Sequence, residues 1–211
     1  MTRTRREWIL LTNEHAPCGN ALSQDDILTL FGETGVLLDG HFRLTSGKHS
    51  PQFLQCAQVL RFPKATSQLT RKMAKPFAEA GVTKVIGPAL GGIILAYEVA
   101  RHLGAQALYT ERKDGEMKLR RGFSILPEDR VLVVEDAVST GGSVNRVMEI
   151  LSQQQANIVG VSVLVDRSGG TVSFGVPFES LVTLNIPAYS PAECPLCRDG
   201  VPLVYPKDLG M

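Results

Sequence analysis

Short apolar runs alternate with amphipathic stretches over most of the chain, and this alternation predicts the fold class. The apolar runs have the length of buried strands, and the stretches between them repeat apolar residues at helical spacing. The predicted strands are 84–87, 107–110, 130–135, 158–165 and 180–186. The predicted helices are 63–80, 92–103 and 143–155. Because strands that alternate with helices pair in parallel and carry helices on both faces, the sequence predicts an α/β fold with a central, mostly parallel sheet.

The N-terminal third follows a different pattern. Ser23 can cap a helix that runs through Phe31. Residues 41–56 contain two strand-like pieces joined by a turn at Ser46 and Gly47. This part of the chain is predicted to form a small hood beside the sheet.

The domain organisation follows from these patterns. Residues 1–20 are basic, and their apolar stretch is too short for the core of a signal peptide, so a flexible N-terminal extension is predicted there. Residues 21–211 are predicted to form a single domain. Its expected parts are a hood at about 21–60, a core at about 61–190 and a C-terminal tail at 191–211.

The most specific chemical signal is the stretch V-L-V-V-E-D-A-V-S-T-G-G-S at 131–143. A buried strand ends at two acids, Glu135 and Asp136, and a small polar loop then opens a helix near Val144. Free N–H groups and the helix dipole at such a helix start attract anions. Two carboxylates beside an anion site suit a ligand with both a phosphate and vicinal hydroxyls, such as a ribose 5-phosphate; an ordinary strand–helix turn is the alternative. The residues after the acids are Ala137, Val138, Ser139, Thr140, Gly141, Gly142 and Ser143.

Two further segments at strand ends suit a polyanionic ligand. In G-P-A-L-G-G at 87–92, the backbone N–H groups of Gly91 and Gly92 can hold a second phosphate group, although a turn needed only for packing has the same sequence. The stretch 110–122 can form a mobile lid whose cations stabilise a departing pyrophosphate, although a charge run is usually a solvated face. Its cations are Arg112, Lys113, Lys118, Arg120 and Arg121.

Two segments nearer the C-terminal end add candidate recognition and metal-binding groups. Arg167 directly follows a strand, where its guanidinium can bind a substrate carboxylate with two hydrogen bonds or form a structural ion pair. The C-P-L-C pair at 194–197 supplies two thiolates, whereas zinc needs about four ligands. Since Cys18 and Cys56 are distant in sequence, a chain-terminal turn is favoured over a metal site shared between two subunits.

Composition limits the functional classes. The 211 residues have a net charge of +1, so a nucleotide-like ligand must be bound by local charge and not by an overall field. No apolar run approaches the roughly 20 residues of a membrane span. Without a signal-peptide core, the four cysteines are expected to be reduced and the protein cytoplasmic.

The acid pair and loop at 135–143 resemble the phosphoribosyl-pyrophosphate (PRPP) motif of the type I phosphoribosyltransferases. From about Ile27 to Gly200 the chain resembles the orotate branch of that family. The resemblance implies transfer of the phosphoribosyl group of PRPP to orotate, giving orotidine 5′-monophosphate and pyrophosphate in pyrimidine biosynthesis. It also implies Mg²⁺ held through PRPP with no direct protein ligand, and a homodimer in which the basic loop of one subunit reaches toward the other site.

The resemblance assigns roles to individual residues. In the family, the two acids meet the ribose hydroxyls and the loop holds the 5′-phosphate. Phe53 and Leu54 stand in a hood motif beside the pyrimidine, and Lys113 is the counterpart of a catalytic lysine. The expected catalytic residues are Lys113 and Asp136, and the expected orotate-binding residues are Ser139, Arg167, Phe53 and Lys48. The expected PRPP-binding residues are Glu135, Asp136, Ala137, Val138, Ser139, Thr140, Gly141, Gly142, Ser143, Gly91, Gly92 and Arg112.

Three departures from the family pattern leave two alternatives open. Thr45 and Gly91 stand where lysine is frequent, and the basic loop lacks a histidine. Lys48, Lys118, Arg120 or Arg121 are candidates to take over these charges. The alternatives are a phosphoribosyltransferase for another base and a PRPP-sensing regulator with the same fold. A regulator should carry a nucleic-acid-binding face, and no helix-turn-helix or basic stripe is evident in the sequence.

Overall fold

The centre of the molecule is a six-stranded sheet, seen in a computed structural model that describes residues 22–44 and 46–206. Its strands are β3 (Lys84–Pro88), β4 (Gln106–Lys113), β5 (Glu116–Leu119), β6 (Arg130–Val138), β7 (Asn157–Asp166) and β8 (Phe178–Thr183). Their spatial order is β5-β4-β3-β6-β7-β8, and every neighbouring pair is parallel except β4 and β5. The predicted mostly parallel sheet is confirmed.

Helices accompany the sheet, and the four predicted ones lie at the expected places, whereas two short helices were not predicted. They are α1 (Gln24–Thr34), α2 (Ala57–Leu60), α3 (Pro63–Ala74), α4 (Gly91–Leu103), α5 (Gly142–Gln153) and α6 (Pro195–Arg198). Ser23 caps α1 as predicted, in a reciprocal pair with Asp26. The helix predicted over 63–80 ends at Ala74 and continues only as a short 3₁₀ turn, because Pro76 has no N–H to donate to the preceding turn. No helix in the described ranges is long and apolar enough to cross a membrane.

The central strand β6 separates two hydrophobic cores. Val131 and Val133 lie in the core that also contains Val147 of α5. Leu132 and Val134, which point to the opposite face, lie in the core formed with α1, α3 and α4. A strand buried on both faces needs apolar residues at consecutive positions, which is the pattern of the run before the acid pair.

The predicted hood contains an antiparallel hairpin of β1 (Leu37–Arg43) and β2 (His49–Leu54). The C-terminal segment, residues 184–206, packs against this hairpin. Two isolated bridges join them, His49 with Tyr189 and Phe42 with Val204. The predicted extension at 1–20 and Thr45 lie outside the described residues.

Candidate active site

The four segments singled out by chemistry meet at one edge of the sheet. They follow β3, β4, β6 and β7, which run parallel, so their carboxyl ends lie side by side. The Ala89 N–H donates to the Thr110 carbonyl at 2.7 Å, which joins the turn after β3 to the basic segment. The Arg167 N–H donates to the Val138 carbonyl at 2.7 Å, which joins the arginine to the acid-pair segment.

The loop after β6 forms an anion cradle, made of residues 139–142 and the first turn of α5. Gly141 is the N-cap residue with φ of 76°, and no side chain caps the helix. The first N–H groups of α5 are therefore not bonded to a capping side chain, which is the arrangement that binds phosphates. Glycine is required at 141 because its φ is positive and because a Cβ there would lie 3.0 Å from the Phe174 ring.

A cavity of about 210 Å³ lies over this cradle. It brings together most of the residues predicted to bind PRPP, and its lining also includes Val144 and Arg146, which were not predicted as site residues. Arg146 lies one turn into α5 and faces the cavity. A cation one turn after a phosphate loop is a signal that could have identified it. The lining residues are Glu135, Ala137, Val138, Ser139, Thr140, Gly141, Gly142, Ser143, Val144 and Arg146.

Both carboxyl groups of the acid pair have raised pKa values. Glu135 is buried and Asp136 is half-buried. Burial raises the pKa of Glu135 to about 8, and the neighbouring Asp136 carboxylate adds to this. Burial also raises the pKa of Asp136. Within the described chain neither acid forms an ion pair, so no protein cation offsets their charge.

The turn after β3 touches the acid pair directly. A Cβ built on Gly91 would lie 2.5 Å from Oδ2 of Asp136, so any side chain at 91 would displace that carboxylate. This contact is a physical reason for glycine at a position where the family often has lysine. Gly92 is also closely packed, since a Cβ there would lie 2.9 Å from the backbone of Gly87. The peptide bond between Ala89 and Leu90 is cis.

The basic segment differs from the expected loop. Residues up to Lys113 extend β4, and residues 116–119 form β5, which returns antiparallel beside it. The expected lid is therefore a β-hairpin, here called the basic hairpin. Asp114 and Gly115, both with positive φ, make its two-residue turn. Asp-Gly is a strong hairpin signal, so the sequence contained the information needed.

Ion pairs divide the five cations of the basic hairpin into two groups. Lys118 pairs with Glu116 at 2.8 Å. Glu111 accepts from both Arg120 and Arg121, at 2.9 and 3.0 Å. Arg112 and Lys113 are exposed, and neither has an ion pair with any described residue. The two cations available for a ligand are therefore the two nearest the start of the segment.

Of the residues predicted to contact orotate, Ser139 lines the cradle cavity and Arg167 follows β7 at the same edge, whereas Phe53 and Lys48 belong to the hood hairpin. The Nε of Arg167 is buried without a hydrogen-bond partner among the described residues. Phe53 is half-buried, with its ring centroid 5.7 Å from that of Phe42. Leu54 is buried in the core that also contains Cys56 and Val59. Lys48 is exposed beside the turn of the hood hairpin.

The buried Glu135, the half-buried Asp136 and the uncapped start of α5 meet at the carboxyl edge of a parallel sheet, an arrangement that suits a ribose phosphate and indicates a phosphoribosyl-transferring α/β protein. The comparisons agree, since residues 56–173 match the phosphoribosyl transferase domain model. The orotate phosphoribosyltransferase of Desulforamulus reducens is 51% identical over 185 residues, 88% of this chain and 97% of that one. That of Thermotoga maritima is 49% identical over 88% of this chain and 99% of its own.

Solved structures give the same result. The orotate phosphoribosyltransferase from Aeropyrum pernix superposes with a TM-score of 0.61 at 27% identity, covering 75% of this chain and 93% of that one. The chain belongs to the orotate phosphoribosyltransferase family.

Proposed function

We propose that this protein transfers the phosphoribosyl group of PRPP to orotate, giving orotidine 5′-monophosphate and pyrophosphate. It is a pentosyl transferase of pyrimidine biosynthesis, as its relatives at about 50% identity indicate. The observation that carries the proposal is the uncapped start of α5 next to the buried acid pair. This arrangement suits a ligand that is anionic at one end and rich in hydroxyl donors at the other.

The PRPP phosphates occupy two places in this proposal. The 5′-phosphate lies in the anion cradle, where the first N–H groups of α5 and the hydroxyls of Ser139, Thr140 and Ser143 donate to it. The pyrophosphate lies over the turn after β3, which contacts the acid pair at Gly91. The ribose spans the distance between them, above the acid pair.

Glu135 and Asp136 accept hydrogen bonds from the ribose hydroxyls. Charge-assisted hydrogen bonds stabilise the ionised form of a carboxyl group. PRPP binding therefore lowers the raised pKa values of these acids, and their buried charge strengthens binding of a hydroxyl-bearing ligand. The carboxylate oxygens are also hard donors that tolerate a nearby Mg²⁺. Mg²⁺ held through the oxygens of PRPP would neutralise the departing pyrophosphate as a Lewis acid.

Arg167 binds the orotate carboxylate. Its buried Nε has no partner among the described residues, and buried polar atoms are normally hydrogen-bonded. A carboxylate ligand would supply the missing acceptor for Nε by binding the guanidinium through two hydrogen bonds, the bidentate geometry that this group favours. Ser139, Phe53 and Lys48 are the remaining candidate contacts to the pyrimidine.

Lys113, with Arg112 beside it, stabilises the charge that develops on pyrophosphate as the anomeric carbon takes on oxocarbenium character. Both cations lack an ion pair with the described residues, whereas the other three on the basic hairpin are held by Glu111 or Glu116. A cation already held by a carboxylate is less free to follow a leaving group. This distinction favours Lys113 over Lys118 as the catalytic lysine.

A homodimer in the cytoplasm completes the proposal. Three large apolar side chains on and just before α4, spaced four and three residues apart, lie on one face of the helix: Leu90 is 82%, Ile94 44% and Tyr97 65% exposed. A second copy of this chain would cover this stripe next to the pyrophosphate turn. Light scattering of wild type and Tyr97→Glu would test it, with the dimer lost in the variant.

One assay separates the candidate functions. Purified protein with PRPP, Mg²⁺ and orotate should deplete the orotate absorbance. Turnover with adenine or another base, and none with orotate, would instead indicate a different phosphoribosyltransferase. PRPP binding without turnover on any base would indicate a regulator.

A further inference from the structure

Two histidines of the hood hairpin meet the two cysteines of the C-P-L-C pair. His41 lies on β1, and His49 is the first residue of β2. Cys194 directly precedes the short helix α6, and Cys197 lies within it. One ligand atom from each of the four residues lies within 4.8 Å of all the others. His41, His49 and Cys194 are buried, at 1%, 5% and 0% exposure. The sequence reasoning saw only the cysteine half, because the histidines are more than 140 residues away.

The spacing of the four atoms fits a tetrahedral metal site. In such a site with Zn–N of about 2.0–2.1 Å and Zn–S of about 2.3 Å, neighbouring ligand atoms lie roughly 3.3–3.8 Å apart. Here His41 Nε2 is 3.0 Å from His49 Nδ1, 3.5 Å from Cys194 Sγ and 3.7 Å from Cys197 Sγ. His49 Nδ1 is 3.2 Å from Cys197 Sγ.

The second nitrogen of His41 sets its tautomer. Nδ1 lies 2.8 Å from the Val201 carbonyl oxygen, which can only accept, so Nδ1 carries the hydrogen. Nε2 of the neutral ring then turns its lone pair toward the cluster. A backbone carbonyl that orients a histidine in this way is a usual outer partner in metal sites.

Hydrogen bonds alone do not satisfy this cluster. The lone pair of His41 Nε2 faces three groups, His49 Nδ1 and the two sulfur atoms, and it can accept a hydrogen from only one of them. A cation at the centre would instead be bound by all four atoms at once.

We propose that His41, His49, Cys194 and Cys197 bind a structural Zn²⁺ that fastens the C-terminal segment to the hood hairpin. Two thiolates and two imidazoles in tetrahedral array select zinc, and four protein ligands leave no open position for catalysis. The thiol protons are released to solvent as the ion binds. Cys197 is exposed and marks the side from which the ion enters.

The site accounts for how the C-terminal segment is held. Apart from one short 3₁₀ turn and α6, the segment has no helix or strand. It contacts the hood hairpin through two isolated bridges, the hydrogen bond of His41 Nδ1 to the Val201 carbonyl, and the Ser50 hydroxyl, which donates to the Pro187 carbonyl at 2.9 Å. Because the hood hairpin carries Phe53 and Lys48, zinc loss should also raise KM for orotate more than KM for PRPP; this consequence alone rests on the proposed function.

Metal analysis of the full chain, purified without a histidine tag from zinc-containing medium, tests the proposal. One zinc per chain is expected, and Cys194→Ser or His41→Gln should remove it. Cys56→Ser and His102→Gln are matched controls that should keep it, since both residues lie outside the cluster. Chelation of the wild type should lower Tm by roughly 5 °C or more, and added Zn²⁺ should restore it.

Cobalt provides a readout independent of folding yield. Co²⁺ added to the chelated wild type should give the intense visible bands of a tetrahedral thiolate site. Cys197→Ser, at the exposed position, should fold and give weaker, shifted bands. Wild-type protein that contains no zinc and does not bind Co²⁺, or a Cys194–Cys197 disulfide in protein isolated under reducing conditions, would overturn the proposal.

Discussion

The two ends of strand β6 carry acids with opposite properties. At the amino end, Asp129 lies 2.6 Å from Lys84 and accepts from the Leu126 N–H and the Thr83 hydroxyl. Burial acts to raise the pKa of Asp129, but these hydrogen bonds outweigh it and leave the pKa below its ordinary value. At the carboxyl end, burial raises the pKa of Glu135 to about 8. At the amino end the protein itself supplies the partners of the carboxylate. At the carboxyl end the described residues supply no cation, which suits a site that a ligand fills.

The same contrast extends along the whole carboxyl edge of the sheet. The buried Arg167 Nε has no partner there among the described residues, and no side chain caps α5. Arg112 and Lys113 likewise lack an ion pair within the described chain. Polar and charged groups without partners inside the protein are expected at functional sites, and here such groups lie together at one edge of the sheet.

The largest expected effect concerns the cations of this edge. Lys113→Ala should lower kcat by roughly 10²–10³, because the lysine is proposed to act on charge that exists only as pyrophosphate leaves. KM for PRPP should change less. Lys118→Ala is the control, since that side chain is held by Glu116, and steady-state kinetics should find it near wild type. A crippled Lys118→Ala beside a normal Lys113→Ala would reverse the assignment.

A matched pair of substitutions tests the two ends of β6. Asp129→Asn should reduce the free energy of unfolding by about 3 kcal/mol, because it leaves the nearly buried Lys84 without its counter-ion. Its kcat per folded molecule should be unchanged. Asp136→Asn should have the opposite profile, with poor use of PRPP and no loss of stability. Urea unfolding measures the stability of each variant, and steady-state kinetics measure its use of PRPP. If the two variants lost stability and activity to the same extent, the proposed difference between the ends of β6 would be wrong.

Substrate choice tests the unpartnered arginine. Orotate should be preferred to uracil at least tenfold, because uracil leaves Arg167 without a carboxylate and a lost charge-assisted hydrogen bond costs about 1.5–3 kcal/mol. Competition between the two bases measures the ratio. Arg167→Ala should slow the reaction with orotate much more than any reaction with uracil. Equal rates of the wild type with both bases would contradict the role of Arg167.

The last expected effect is a slope in stability against pH. The pKa of Glu135 is about 8 in the folded chain and near 4.5 when unfolded, so the folded state binds more protons between these values. Stability from this group is present below pH 4.5 and is lost as pH rises through 8. Tm should therefore fall over that window more in wild type than in Glu135→Gln. Saturating PRPP should reduce the difference, because it stabilises the ionised form.

Site residues that are close together in the sequence could be predicted, whereas residues brought together only by folding could not. The acid pair and its loop lie within one strand–loop–helix unit, so local pattern was enough to locate them. Arg120 and Arg121 form ion pairs with Glu111 only because β4 and β5 pair in a particular register. Since the segment was predicted to be a loop, this register could not be inferred. The cluster of His41, His49 and the two cysteines required the C-terminal segment to fold back, and that segment has no periodicity to show it.

The basic hairpin also forms one edge of the central sheet. An outermost strand exposes unpaired backbone groups that can recruit strands from other molecules. Here that position belongs to β5, only four residues long and carrying the exposed ion pair of Glu116 and Lys118. Short length and charge are the usual means of discouraging edge-to-edge association. The element proposed to present cations to the substrate therefore also forms this edge of the sheet.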